Sequence, residues 1–323
     1  MNPIFADLPT TIFEEMSALA RAHEAVNLGQ GFPDDPGPED VRRKAADAVV
    51  SGWNQYPPMP GLPELRQAVA AHYKAHQGLD IDPMAEVMVT SGATEAIAGA
   101  LLALIAPGDE VVLFEPFYDA YLPLVRRAGG VPKFVKLAPP DWRFTAAQLA
   151  EAIGPKTRVV LFNNPLNPAA CVYGPAELGL IAEAIAGTNA IVVADEVWEH
   201  VIFDGRKHMS VLASPALRER CVKIGSAGKI FTLTGWKVGF SVASPAILKV
   251  LMKAHQFLTF TTPPNLQTAV AYGLAKEAAH FDAMRDDLAA RRDHLAKGLA
   301  AAGFRTLPCE GTYFINVDLA PLG

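Results

Sequence analysis

In AIVVADEVW, residues 190–198, a short uninterrupted apolar run ends on two acids. A run this short and this uniformly apolar fits a strand of a parallel sheet covered on both faces, whereas a strand with one wet face would alternate. The same pattern recurs in EVMVTSGATEAIAGALLALI (86–105), EVVLFEPFYDAYLPLVRRA (110–128), RVVLFNNPLNPA (158–169) and CVKIGSAGKIF (221–231), each apolar run being followed by Gly, Pro or Asn and then by a helical stretch. The alternation predicts an α/β fold with a mostly parallel sheet covered by helices. Such sheets bind ligands in the crevice beyond the carboxyl ends of their strands. The residues to watch are therefore Ser91-Gly92-Ala93-Thr94, Glu115-Pro116-Phe117-Tyr118, Asn163 to Pro168, Asp195-Glu196 and Ser226-Ala227-Gly228-Lys229.

The frame around these runs is that of an enzyme-sized globular protein. At 323 residues and 50% hydrophobic, the chain can bury a large core, and a prior of roughly 100–200 residues per domain gives about two domains. A net charge of −6 without runs of like charge leaves no electrostatic footprint for nucleic acid or an anionic membrane. The N-terminus lacks a basic, then apolar, leader, and the longest apolar run, AIAGALLALIA (96–106), stops at Pro107 before it could span a bilayer. A cytoplasmic protein is expected. Cys171, Cys221 and Cys309 are too few and too scattered for a disulfide framework or a thiolate metal site. Residues 281–303 carry the charge pattern of a long helix, and TYFINVD (312–318) alternates like a strand. A domain boundary is placed near 280, dividing the chain into an N-terminal arm with part of a small domain (1–40), a large domain (41–280) and the rest of the small domain (281–323).

Asp195 should emerge at the sheet edge, where a low-dielectric setting demands a partner. A cap is one reading of it. Another is the magnesium-holding acid of a nucleotide hydrolase, which requires the phosphate loop G-x-x-x-x-G-K-[ST]. Around Gly228-Lys229, position 223 is Lys and position 230 is Ile, so that spelling fails. An acid at one strand end with a lysine at another suits pyridoxal phosphate, whose ring nitrogen is kept protonated by a carboxylate and whose aldehyde forms a Schiff base with a lysine. Ala93 and Thr94, at the start of a helix, offer N–H groups and a positive dipole end to its phosphate, with Ser226 and Lys237 flanking.

The motifs VNLGQGFPD (26–34), NQYPPMPGLPELRQAV (54–69), TSGATEA (90–96), EPFYDAY (115–121), NPLNPA (164–169), DEVW (195–198), GSAGKIFTLTGWKVGF (225–240) and GTYF (311–314) together resemble the class I/II aminotransferases of the fold type I pyridoxal phosphate superfamily. The likeness runs over essentially the whole chain and points to the branch of the kynurenine, glutamine, methionine and N-succinyldiaminopimelate aminotransferases. It implies that Lys229 is the Schiff-base lysine, Asp195 the partner of the pyridine nitrogen and Asn167 the donor to the phenolic oxygen. It further implies that Phe117 stacks on the ring, and that Ala93, Thr94, Ser226 and Lys237 form the phosphate cup. Tyr56 would reach the phosphate in the other subunit, making a homodimer with shared sites. Gly31 and Asn167 would lie against the substrate carboxylate and Phe13 near its side chain.

Two departures stand out. Trp198 occupies the place of a tyrosine that donates to the cofactor's phenolic oxygen and is expected to contact the cofactor there; an indole N–H can donate but is larger and differently placed, with packing in the core as the alternative. No residue matches the arginine that forks the substrate's α-carboxylate, so the small domain is expected to be incomplete relative to the family. The expected activity is ping-pong transfer of an amino group from a neutral or aromatic L-amino acid to a 2-oxo acid, with Lys229 and Asp195 as catalytic residues. Cysteine-conjugate β-elimination and cofactor binding with little turnover are the alternatives. Tyr118 and Tyr121 read as pocket wall. His72 and His76, spaced i, i+4, could face a metal on one helix but read as solvated; no metal is expected.

Overall fold

A computed structural model describes residues 2–6, 8–29, 31 and 34–320 of the chain. Seven strands form one sheet: β1 (Val87–Thr90), β2 (Glu110–Glu115), β3 (Val131–Lys136), β4 (Thr157–Asn163), β5 (Ile191–Asp195), β6 (Cys221–Ser226) and β7 (Gly239–Ala243), in the order β1-β7-β6-β5-β4-β2-β3. Neighbours from β3 to β6 are parallel, and β7 runs antiparallel to both β6 and β1. The sheet is thus mostly parallel, as its apolar runs predict. Two strands stand outside those runs. β3, at the sheet edge, is only partly buried, and β7 grows out of the Gly-Trp-Lys segment.

The period of two along each strand sorts side chains onto two cores. Val112, Phe114, Val160, Phe162, Val192 and Ala194 face one way. They meet Leu65 and Val69 of the helix Pro63–Gln77, Leu178 and Ile181 of Pro175–Ile185, and Val270 of Pro264–Leu274. Val111, Leu113, Val159, Leu161 and Val193 face the other way, against Ile97 and Leu101 of Gly92–Leu104 and Leu248 and Leu251 of Pro245–Leu258. Four of these helices start with Pro in their first turn, where the missing N–H costs nothing. The first of them ends at Gly78 in the left-handed conformation, φ 69°.

The long helix spans Ala278–Ala301, beginning slightly before the position read from the sequence, and buries only Phe281. TYFINVD is less regular than its alternation suggests: only β9 (Val317–Asp318) pairs, with β8 (Arg305–Thr306), and Gly311 bridges to Ile202. Its partner β8 is itself two residues long and offers a short ladder.

His72 is not solvated. It is 3% exposed, its Nε2 lies 2.7 Å from Nε2 of His200, and its Nδ1 faces the Leu274 carbonyl at 3.1 Å. Burial pushes its pKa down to about 4, so it is neutral near pH 7. His76 is half-buried and packs with it on Phe281. The helix face turns inward because its i, i+4 pair lies under the long helix, a tertiary fact invisible to spacing.

Candidate active site

The carboxyl ends of β4, β5 and β6 converge on a cavity of about 260 Å³. Its floor is Asp195, 6% exposed at the last position of β5. The Tyr121 hydroxyl donates to Asp195 Oδ2 at 2.6 Å and the Val197 N–H to Oδ1 at 3.3 Å. Burial raises this carboxyl's pKa, against the opposing pull of Tyr121, the Val197 N–H and Lys229. A desolvated acid so raised holds its charge best when a cation is brought to it.

Across the cavity, β6 ends at Ser226 and runs into the single helical turn Ala227–Ile230, which carries Lys229. Its Nζ donates to Tyr313 Oη at 2.8 Å and lies 4.5 Å from the centre of the Trp198 ring. Burial lowers its pKa to about 8, Asp195 pulling it up and Lys237 pushing it down. Near neutral pH an appreciable share of this lysine is therefore a neutral amine, the form that attacks a carbonyl carbon.

The third wall is a cup at the N-terminus of the helix Gly92–Leu104. A Cβ on Gly239 would stand 2.6 Å from Gly92 C and 2.8 Å from the Ala93 nitrogen, and one on Gly92, at φ +75°, would stand 3.3 Å from Lys237 Cε. Only glycines allow the β7 backbone, the helix start and the lysine stem to crowd together this way. Lys237 itself is left-handed, φ 53°. Helix N–H groups, an ammonium and the Ser226 hydroxyl around one space suit a phosphate dianion.

Of the residues named from the sequence, Phe13, Gly31, Ala93, Thr94, Asn167, Asp195, Trp198, Ser226, Lys229 and Lys237 all line this one cavity. Gln30, Phe32 and Pro33 of the GQGFPD motif lie outside the described residues. Phe117 does not line it. Its ring lies 6.1 Å from Phe134 on β3 and 6.5 Å from Tyr121, stacked on both, while the next residue, Tyr118, turns into the cavity. Of the two neighbours it is thus Tyr118, not Phe117, that reaches the cavity, and its hydroxyl bonds Thr94 and senses Asp195. Tyr56 is 77% exposed, with its ring edge-on to Phe260 at 5.3 Å, and does not reach the cavity of its own chain. Trp198 is 2% exposed, packs edge-on against Tyr313 and Phe314, and still lines the cavity, so packing and site contact coexist.

Two functional side chains escaped sequence reasoning. Tyr121 stands behind Asp195 as its hydroxyl partner and is no pocket wall; Tyr313, in GTYF, is the partner of Lys229. A buried charge cluster lies behind the floor. The Lys223 ammonium, from the middle of β6, donates to Glu196 at 2.6 Å and Glu199 at 2.8 Å, and His208 Nε2 sits 2.8 Å from Glu196. A second cavity of about 280 Å³ is bordered by Arg206 and Arg292, but these are already paired with Glu310 and Asp204.

The chemistry of this donor set fits pyridoxal phosphate from end to end: a phosphate cup, a poised amine and a buried acid facing one another across a single cavity. Among the described residues, no helix is long and apolar enough to cross a membrane. Residues 23–322 match the family of aminotransferases class I and II. The chain is 46% identical over 316 residues to a probable N-succinyldiaminopimelate aminotransferase, DapC, of Mycobacterium tuberculosis, covering 97% of this chain and 80% of that protein. It is 44% identical over 311 residues to the methionine aminotransferase of Escherichia coli, covering 96% and 81%. The solved structure of YbdL from Escherichia coli, for which a methionine aminotransferase function was identified, superposes with a TM-score of 0.96 at 42% identity, over 99% of this chain and 84% of that one. Neither the lyase nor the low-turnover alternative is favoured by these relatives. With a pyridoxal phosphate site whose parts the fold brings together, the chain belongs to the aminotransferase class I and II family and is an aminotransferase.

Proposed function

We propose that the amino donor is a neutral L-amino acid, methionine-like or aromatic, and that a 2-oxo acid accepts its amino group. The observation that carries this is the charge of the lining: among the described residues around the cavity, the cations are Lys229 and Lys237, and both have tasks. The rest of the side-chain end is Phe13, Tyr118, Trp198 and Phe314. A second substrate carboxylate would lose its water there without gaining a partner. Relatives named for methionine and for kynurenine support the same choice; the relative named for N-succinyldiaminopimelate is accommodated only if that donor's distal carboxylate reaches solvent.

Bound in the cavity, pyridoxal phosphate supplies an electron sink for the bonding pair released at the donor's α-carbon. The protein's part follows from its own groups. Lys237, Ser226 and the N–H groups at Ala93 and Thr94 hold the phosphate, and Tyr118 covers the ring. Asp195, oriented by the Tyr121 hydroxyl and the Val197 N–H, would pair with a protonated ring nitrogen, the cation that a desolvated carboxylate needs. Asn167 orients the phenolic oxygen, and with Gly31 it faces the donor's carboxylate. Lys229 would hold the cofactor through its Nζ and, when that amine is free, would take the α-carbon proton; a pKa of about 8 lets it accept and return protons near neutral pH.

A homodimer completes the reading. Tyr56 lies off its own cavity, and Trp53, Tyr56 and Phe257 are each at least 70% exposed, an apolar surface that a second copy would cover while Tyr56 reaches the neighbouring phosphate. The test of the substrate reading is a donor panel with one 2-oxo acid acceptor: kcat/KM for methionine and phenylalanine should exceed that for aspartate by at least about a hundredfold, since one uncompensated buried charge costs about 3 kcal/mol or more. Aspartate as the better donor would sink it.

A further inference from the structure

Among the described residues Lys229 has one hydrogen-bond partner in its cavity, the Tyr313 hydroxyl, and that hydroxyl is itself engaged: it donates to the Gly31 carbonyl oxygen. A phenol has one proton. A backbone carbonyl can only accept, so the proton of Tyr313 is committed to Gly31, and toward Lys229 the phenol oxygen can only accept. Burial raises the phenol's pKa, which keeps that proton in place.

The polarity of this chain of bonds matters to the nucleophile. A hydroxyl free to rotate could donate to the lysine nitrogen and occupy its lone pair. Because Gly31 holds the proton, Tyr313 instead takes one N–H of Lys229 and leaves the lone pair for an incoming carbonyl carbon. The segment carrying the tyrosine is itself fixed. The Gly311 N–H donates to the Ala170 carbonyl at 3.2 Å and the Thr312 N–H to that of Val201 at 2.9 Å, with Thr312 left-handed at φ 65°. Trp198 packs edge-on against the ring at 4.4 Å and 88°.

We propose that Tyr313 is a positioning residue that aims the Lys229 lone pair, with the Gly31 carbonyl setting the direction of its hydrogen bond. It rests on the aminotransferase reading only in taking Lys229 as the amine that captures the cofactor's aldehyde. In that capture the nitrogen–carbon bond forms, and the aldehyde oxygen leaves as water with the amine's two protons. Aim and proton affinity are separable: burial, Asp195 and Lys237 set when Lys229 is neutral, and Tyr313 sets where its lone pair points.

The experiment measures how fast the full-length apoprotein captures pyridoxal phosphate, with borohydride fixing the bond and mass spectrometry locating the peptide. Tyr313→Phe keeps the ring against Trp198 and Phe314 and removes only the hydroxyl. Capture at saturating cofactor should slow by at least about tenfold, since small misplacements of a nucleophile cost up to ~100-fold. Its pH midpoint should stay with that of the wild type, and the melting temperature should be unchanged. Tyr313→Leu should slow capture at least as far, and either variant suffices if the other fails to fold. Capture within about twofold of wild type in a folded variant, or a midpoint that moves while the plateau holds, overturns the proposal. Wild-type capture at a residue other than Lys229 would instead sink the site assignment, so the two failures are told apart.

Discussion

Lys223→Met tests the buried charge cluster that supports the floor of the site. The Lys223 side chain is inaccessible to solvent, as is that of Glu196; its ammonium touches Glu196 at 2.6 Å and Glu199 at 2.8 Å and lies 4.4 Å from the centre of the Tyr73 ring. Burial by itself would raise the Glu196 pKa, but the Lys223 ammonium and His208 outweigh it and bring it from an ordinary 4.5 down to about 2. At ~1.4 kcal/mol per pH unit that difference is worth about 3 kcal/mol of stability near neutral pH. It agrees with the roughly 3–5 kcal/mol lost when one partner of a buried pair is removed. The unfolding entropy of a chain this long is about 0.7 kcal/mol per kelvin, so melting should fall by about 4–5 °C at pH 7.5.

The pH dependence gives the sharper reading. In the wild type the Glu196 pKa is depressed, so its contribution is complete above pH 4.5 and is lost as pH falls toward 2. In the variant the uncompensated carboxylates are pushed up instead. Their cost is absent in acid and grows as pH rises through the unfolded value of about 4.5 toward the raised folded one. The deficit should therefore be largest near neutrality and shrink at acid pH, and adding Glu196→Gln to Lys223→Met should recover part of it. Scanning calorimetry at pH 7.5 and 4.5 decides: equal deficits at both, or one under about 1 °C at pH 7.5, would show that the cluster is not the ionic network its geometry describes.

The Lys229 pKa of about 8 predicts that covalent capture of pyridoxal phosphate by the apoprotein rises about tenfold between pH 7 and 9, as the neutral amine grows from roughly one-tenth to nine-tenths; a flat profile over that range would refute the placement of the amine. Gly239→Ala drives a methyl to 2.6 Å from Gly92 C. It should cost about 1–3 kcal/mol in stability through overpacking and strip the cofactor on dialysis, and a variant that retains cofactor with wild-type affinity would show that the cup is not the phosphate site.

What the sequence disclosed and what it withheld divide along a physical line. The apolar runs disclosed β1, β2, β4, β5 and β6, because a strand buried on both faces has no polar residue to disguise it. The positions just beyond them disclosed Asp195 and Lys229, because parallel strands all present their carboxyl ends to one crevice. Which of two adjacent residues points into that crevice is a different matter. In EPFY both candidates are aromatic, and a slip of one residue reverses the face, so Phe117 was indistinguishable from Tyr118 until the backbone was in place. Partners were less visible still. Tyr121 reaches Asp195 across 74 residues and Tyr313 reaches Lys229 across 84, and no local pattern marks a hydroxyl for an acid or an amine so distant. Lys223 was hidden most thoroughly. A lone cation in CVKIG looks like a strand residue with its head in water, yet the two glutamates that neutralise it come from the segment after β5. A charge can sit at the centre of a parallel sheet only when its partners are delivered by the neighbouring strand. The acids following AIVVA therefore have divided roles: Asp195 faces the cavity, and Glu196, with Glu199 one helical turn on, faces the lysine beneath it.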